Sequence, residues 1–308
     1  MSRILTTPYR YVTADVFTNR MFLGNPVAVL LEADGLSAST DASDRPRIQL
    51  HGNHLCPAAA GPGLHRAGAH LHAEPRSAVR RPPNIGTAFV LAREAAARGD
   101  VLSQVVFEEA AGLVAITLLH DGAEVSGAEL ASPEPLSRRT QVSTERTAAC
   151  LSLAASDVSS AAHAPQVISV GLPFLVAEVT TREALRRARP NRAAFDAVLP
   201  LDAATAIYVY TRDGCPDEAG CDLQARMFTP RMTEDPATGS ATAPTAALLA
   251  ELAGGKGLAL RVGQGVDIGR PSILLARVSQ QDGAHAVTYV GGQCVAVMEG
   301  VLAVASDP

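Results

Sequence analysis

The chain has 308 residues, enough for two domains of ordinary size, and its 47% hydrophobic content suffices for a buried core in each. Charged residues make up 19% and the formal net charge is -5, so no basic field exists to hold a nucleic-acid backbone or an anionic membrane. No apolar run is long enough to cross a bilayer, and the opening Met1-Ser2-Arg3-Ile4 lacks the regions of a signal peptide, which makes a cytoplasmic location the expectation.

Two strands around a turn are expected first: residues 9–17, then Gly24-Asn25-Pro26, then residues 27–31. β-Branched and aromatic runs punctuated by Gly-Asn-Pro carry that signal. A helix over 86–98 ends near Gly99, and strands follow at 105–107, 112–118, 167–170, 206–210 and 225–228. A second Ala/Leu-rich helix over 239–253 stops at Gly254-Gly255, before strands at 272–276 and 287–290. Many strands per helix make the class mixed α+β. With Trp absent and aromatics at 4%, the core falls to Ala, Val and Leu. Glu183 with Arg186 and Arg187 reads as a solvated helix face. The cysteines at 56, 150, 215, 221 and 294 form no Cys-x-x-Cys pair, and their odd count argues against a disulfide framework; Cys215 and Cys221 read as a surface loop.

An internal echo links the two helices. Pro83-Asn84-Ile85-Gly86-Thr87-Ala88 opens the first and Pro236-Ala237-Thr238-Gly239-Ser240-Ala241 the second, the same Pro-x-x-Gly-(Thr/Ser)-Ala pattern half a chain apart. Two similar halves are implied. At each site a tight turn feeds a small-residue helix start, where free N–H groups and the helix dipole favour an anion such as a carboxylate.

The most specific string is Arg226-Met227-Phe228-Thr229-Pro230 followed by Glu234-Asp235-Pro236-Ala237-Thr238-Gly239-Ser240-Ala241. With Asp15-Val16-Phe17-Thr18, Phe22-Leu23-Gly24-Asn25-Pro26-Val27-Ala28-Val29, Asn84-Ile85-Gly86-Thr87-Ala88, the run from Gln264 to Ser272, and the run from Val290 to Val297, it resembles the phenazine-biosynthesis PhzF-like family. The resemblance covers nearly the whole chain except residues 38–82. It implies the diaminopimelate epimerase-like α+β fold, two similar halves each a curved sheet around a central helix, with the active site between them. It also implies a homodimer and an isomerase or epimerase without metal or organic cofactor, in which a Glu moves a proton on a small carboxylated substrate. One carboxylate can remove a proton from one face and return it elsewhere on a substrate held still. Carried over by motif position, Asp235 orients the substrate, while Thr238, Gly239 and Ser240 bind its carboxylate at the helix start; Asn25 lines the cleft. The two helix starts hold no cysteine, which disfavours a two-thiol racemase, and Gly239-Ser240 lacks the Gly-x-Ser-x-Gly elbow of a serine hydrolase.

The family's Glu belongs to a (Ser/Thr)-Glu-(Thr/Ser)-Thr-Phe-Val string near residue 52, and a Gly-His-Pro precedes the residue matching Asn84. Neither is present. Residues 38–82 instead hold five of the eight histidines (51, 54, 65, 70 and 72), no Phe or Tyr, and after Asp44 only one acid, Glu74. That composition suits neither strand nor amphipathic helix. Back-translation explains it. Residues 48–57 written as ATT CAA CTA CAC GGA AAC CAC CTT TGT CCT and read one base later give Phe-Asn-Tyr-Thr-Glu-Thr-Thr-Phe-Val, the missing string. The same offset turns 40–47 into Gln-Met-Gln-Ala-Ile-Ala-Arg-Glu and 68–81 into Val-Arg-Ile-Phe-Thr-Pro-Asn-Arg-Glu-Val-Pro-Phe-Ala-Gly. A His-Pro follows, and the normal frame returns at Asn84. The sequence reads as a family member with a compensated pair of frameshifts.

The Glu position then falls at Gly52/Asn53 and the His position at Pro82. None of these residues can serve as an acid/base near neutral pH. The leading expectation is a cofactor-independent isomerase with its acid/base lost; the alternative is an inactive homologue that still binds a small carboxylate at Asp235, Gly239 and Ser240. The histidines with Cys56 lack structural zinc spacing, and the frame reading accounts for them without a metal. The halves are expected at 1–118, joined by 295–308, and at 119–294.

Overall fold

The computed structural model describes residues 6–31, 53–56, 66–67, 81–109, 112–214, 220–255, 257–279 and 286–305. They gather into two compact units, Met1–Leu130 with Gln293–Pro308, and Ala131–Gly292. The sequence reading sets its divisions at 118/119 and 294/295, where the units divide at 130/131 and 292/293.

In chain order the first unit holds β1 (Thr6–Val16), β2 (Asn25–Leu31), β3 (Asn53–Cys56), β4 (Arg66–Ala67), α1 (Arg81–Ala96), β5 (Gln104–Glu109), β6 (Gly112–Asp121) and β7 (Glu124–Ala131). The second continues with β8 (Ser137–Gln141), α2 (Thr144–Cys150), β9 (Val158–Ser159), β10 (Gln166–Ser169), β11 (Phe174–Val179), α3 (Arg182–Arg187), α4 (Arg192–Val198), β12 (Ile207–Thr211), β13 (Leu223–Phe228), β14 (Glu234–Asp235), α5 (Gly239–Leu252), β15 (Leu258–Gln264) and β16 (Ser272–Ser279). The last strand, β17 (Val287–Ala305), begins in the second unit and ends in the first.

In the first unit β1 pairs antiparallel with β2, from Val16↔Asn25 to Arg10↔Leu31, and with β17 from Val16↔Cys294 outward. The turn between β1 and β2 is tied by Asp15 Oδ2, which accepts the Phe22 N–H at 2.6 Å. The sequence reading gives no strand within 38–82, yet β3 pairs parallel with β2 (Ala28↔Asn53) and β4 with β5. Backbone pairing needs only extended chain, so it overrides an unfavourable composition. Helix α1 also departs from its expected start at 86. It begins at Arg81, with Pro82 and Pro83 in its first turn, where a missing N–H costs nothing. Gly86 therefore sits inside the helix. A Cβ there would lie 2.5 Å from Val27 Cγ1 and 2.8 Å from Val16 Cγ2, so glycine lets α1 lie directly on β1 and β2, with Ile85, Ala88, Phe89 and Ala92 buried.

The second unit is a mixed sheet with helices on both faces. Along β12 successive side chains point opposite ways. Ile207 and Val209 join a cluster with Leu151 from the loop after α2, Leu185 of α3 and Phe195 of α4, while the Tyr208 hydroxyl meets Thr242 Oγ1 of α5 at 3.0 Å. α5 is buried from Gly239 to Ala250, as expected for a helix with no charge before Glu251. Its end is the glycine pair read from the sequence: both adopt positive φ, and the Gly255 N–H donates to Ala250 O at 2.8 Å. The exposed Glu183–Arg186 pair, at 2.8 Å, sits on α3 as a solvated face. The α+β class holds, each unit setting one long helix against a sheet.

Candidate active site

The site in the second unit begins with a buried charge. Arg226 on β13 is 4% exposed, and β14 pairs beside it, Met227↔Asp235 and Phe228↔Glu234. The Arg226 guanidinium grips Glu234 with both arms, Nε to Oε1 at 3.0 Å and Nη2 to Oε2. Its Nη1 donates to the Leu185 and Ala188 carbonyls at 2.8 and 2.9 Å, at the end of α3. A buried cation is tolerated only when paired and fully bonded in this way. The pair fixes Glu234 and so aims its neighbour, Asp235.

Asp235 Oδ2 accepts the Thr238 hydroxyl at 2.5 Å. Gln264, at the end of β15, closes the turn from below: Nε2 donates to Asp235 O at 2.8 Å, and Oε1 accepts the Thr238 N–H at 3.0 Å. Ser272 Oγ donates to Pro236 O at 3.1 Å. Gly265 has φ +75°, and a Cβ there would meet Arg270 O at 2.4 Å and Pro236 O at 2.6 Å, so only glycine lets these backbones approach. The turn delivers the chain into α5. The Ala241 and Thr242 N–H groups both bond to Thr238 O, which starts the helix. A helix start of this kind attracts an anion.

Asp235, Thr238, Gly239 and Ser240 are thus brought together in one turn. Asn25 is in the other unit, buried at the start of β2. Asn53 is in β3, Pro82 is in α1, and Gly52 lies outside the described residues, as do His51, His65, His70, His72 and Cys215. His54 and Cys56 lie on β3. The first copy of the helix-opening motif does not open its helix; Thr87 Oγ1 is buried there with no hydrogen-bond partner. Cys221, read as a loop thiol, is disulfide-bonded. Burial pushes the Cys150 thiol up to about 11 and the Cys294 thiol up to about 12, so neither is a ready nucleophile. Sequence reasoning quoted Arg226, Glu234 and Gln264 without giving them roles. The signal was present: an Arg inside the apolar strand Leu223–Phe228 needs a buried acid.

The family described as phenazine biosynthesis-like protein matches residues 83–300. A protein of Mesorhizobium japonicum named as an uncharacterized isomerase is 30% identical over 301 residues, 95% of this chain and 98% of the relative. The chain belongs to the PhzF-like isomerase and epimerase family. A trans-2,3-dihydro-3-hydroxyanthranilate isomerase of Pseudomonas chlororaphis is 29% identical over 279 residues, 87% of this chain and 90% of that enzyme. The PhzF-family protein of Bacillus anthracis shares the fold, with a TM-score of 0.78 at 18% identity, over 96% of this chain and 99% of that one. Among the described residues no helix is long and apolar enough to cross a membrane.

Proposed function

We propose that this PhzF-like chain binds a small cyclic carboxylate at the Asp235–Ser240 turn and that its ancestral reaction, a cofactor-independent proton shift on that substrate, is lost with the acid/base Glu. The observation that carries the reading is the gripped turn at the start of a buried helix. First-turn N–H groups suit the carboxylate of the ligand. Asp235, itself an acid, suits a donor on the same molecule, because two carboxylates side by side repel. An amino or hydroxy acid fits both halves. The Pseudomonas chlororaphis relative is named for a compound of that kind, an amino, hydroxy carboxylic acid.

Loss of the acid/base is supported by where the family match begins. It starts at residue 83, directly after the segment that yields family strings only when read one base later. Without the Glu, a proton has no carrier; Asn53 cannot accept one near neutral pH. By family resemblance the chain works as a homodimer.

The test uses two chains, this one and one whose residues 38–82 are replaced by the in-frame reading. Each is incubated with trans-2,3-dihydro-3-hydroxyanthranilate in deuterated water. This chain is expected to be stabilised by the ligand without washing deuterium into it, while the in-frame chain exchanges and isomerises. Turnover by this chain sinks the lost-acid reading, and absence of turnover by the in-frame chain sinks the assignment of the Glu. Resequencing the gene across codons 36–86 shows which of the two chains is made.

A further inference from the structure

Gln264 is 1% exposed and spends its whole side-chain amide on the turn that carries Asp235. Nε2 donates to the Asp235 carbonyl at 2.8 Å and to Thr238 Oγ1 at 3.0 Å, while Oε1 accepts the Thr238 N–H at 3.0 Å. A backbone N–H only donates and a carbonyl only accepts, so the amide has one orientation and both Nε2 hydrogens are committed. The bond into Thr238 Oγ1 fills a lone pair of that hydroxyl. Its single proton therefore goes to Asp235 Oδ2, 2.5 Å away. The Thr238 N–H is likewise taken, by Gln264 Oε1, and is not offered to a ligand.

We infer that Gln264 is a positioning residue for ligand binding: through three hydrogen bonds it sets the direction of the Thr238–Asp235 bond and the aim of the Asp235 carboxylate. It touches no ligand. The inference rests on the carboxylate-site reading above, and it deepens that reading by naming the group that holds the site in its working polarity. An amide is needed because it presents a donor and an acceptor together. In Gln264→Glu the acceptor for the Thr238 N–H survives, both donors are lost, and a negative charge is added beside Asp235. Protonating the introduced carboxyl returns one O–H donor and removes the charge. Burial and the neighbouring Asp235 both favour that proton, so the rescue falls at mildly acid pH.

The probe is anthranilate, a stable amino acid of the proposed class, titrated calorimetrically at about pH 8 and about pH 5.5 into the unaltered chain, Gln264→Ala and Gln264→Glu. The unaltered chain is expected to bind nearly equally at both. Gln264→Glu should bind about tenfold more weakly at the higher pH, one hydrogen bond's worth of affinity, and recover most of it at the lower. Gln264→Ala should bind weakly at both. If Gln264→Ala does not fold, the ratio of affinities within Gln264→Glu decides, read where its circular dichroism shows the same folded fraction at both pH values, so that recovered binding is not refolding. Unchanged affinity in Gln264→Glu, or a loss that pH does not reverse, overturns the inference and leaves the carboxylate site standing. No binding by the unaltered chain overturns the site reading, and this inference with it.

Discussion

At the scale of single residues, the Arg226–Glu234 pair is the most consequential charge interaction of the second unit. Both side chains are almost fully withdrawn from water, 5% and 7% exposed, and Arg226 also satisfies carbonyls at the end of α3. An exposed pair such as Glu183–Arg186 has neither property, and solvent screening leaves it little to contribute. Desolvation makes the buried pair weak evidence for stability as a whole, but removing one partner strands the other. Arg226→Met should therefore destabilise the second unit by about 3–5 kcal/mol, the range for an uncompensated buried charge. The double variant Arg226→Met with Glu234→Leu should recover much of that loss, since it removes the stranded carboxylate. Urea unfolding of the two chains checks both statements. A single variant as stable as the parent would show that Glu234 finds water, and that the pair does not hold Asp235.

At the scale of elements, α1 depends on a missing side chain. A Cβ on Gly86 would sit 2.5 Å from Val27 Cγ1, closer than packed carbons allow, so Gly86→Ala forces the helix off β2. Overpacking of this kind costs about 1–3 kcal/mol, and the better helix propensity of alanine returns up to about 1 kcal/mol. A net loss of roughly 1–2 kcal/mol is expected in thermal unfolding, whereas a gain would place Gly86 at a surface. Nothing in the sequence distinguishes this glycine from one that opens a helix, which is why the echo at 83–88 reads as a helix start. The start at Arg81 comes from two prolines that suit a first turn. Strands with β-branched runs, such as 9–17 and 206–210, are legible because their side chains match the pleat. β8, Ser-Arg-Arg-Thr-Gln, is not, because its place is set by pairing with β10 rather than by its own residues. The short helices α2, α3 and α4 have caps that sequence reading passed over: Ser143, Thr181 and Asn191 each accept an N–H from the first turn. In the site, the Asp235–Ser240 string is legible as a motif. Gln264 is not, since 26 residues of helix and strand separate it from Thr238 and only the fold joins them.

For the whole molecule, the aromatic side chains available to each core separate this chain from its in-frame reading. The second unit buries Phe174, Phe195, Phe228, Tyr208 and Tyr210, and the first buries Tyr9, Phe17, Phe89 and Phe107. Residues 38–82 contribute no Phe or Tyr to the first, whereas the reading one base later supplies Phe and Tyr in the Thr-Glu-Thr-Thr-Phe-Val region and Phe again in the Val-Arg-Ile-Phe stretch. Each aromatic buried is worth about 1.5–3 kcal/mol relative to leaving it in water. A first unit without them is expected to unfold more easily than its in-frame counterpart, because the net stability of a whole domain is only of the order of 5–15 kcal/mol. In a urea series followed by hydrogen exchange, amides of β1, β2 and α1 should lose protection at lower denaturant than those of β10 to β13 and α5. Replacing residues 38–82 with the in-frame reading should move the first transition up toward the second. Coincident loss of protection in the present chain, with no shift on replacement, would mean that the first unit finds its stability without those aromatics. The composition of residues 38–82 would then be without effect on folding.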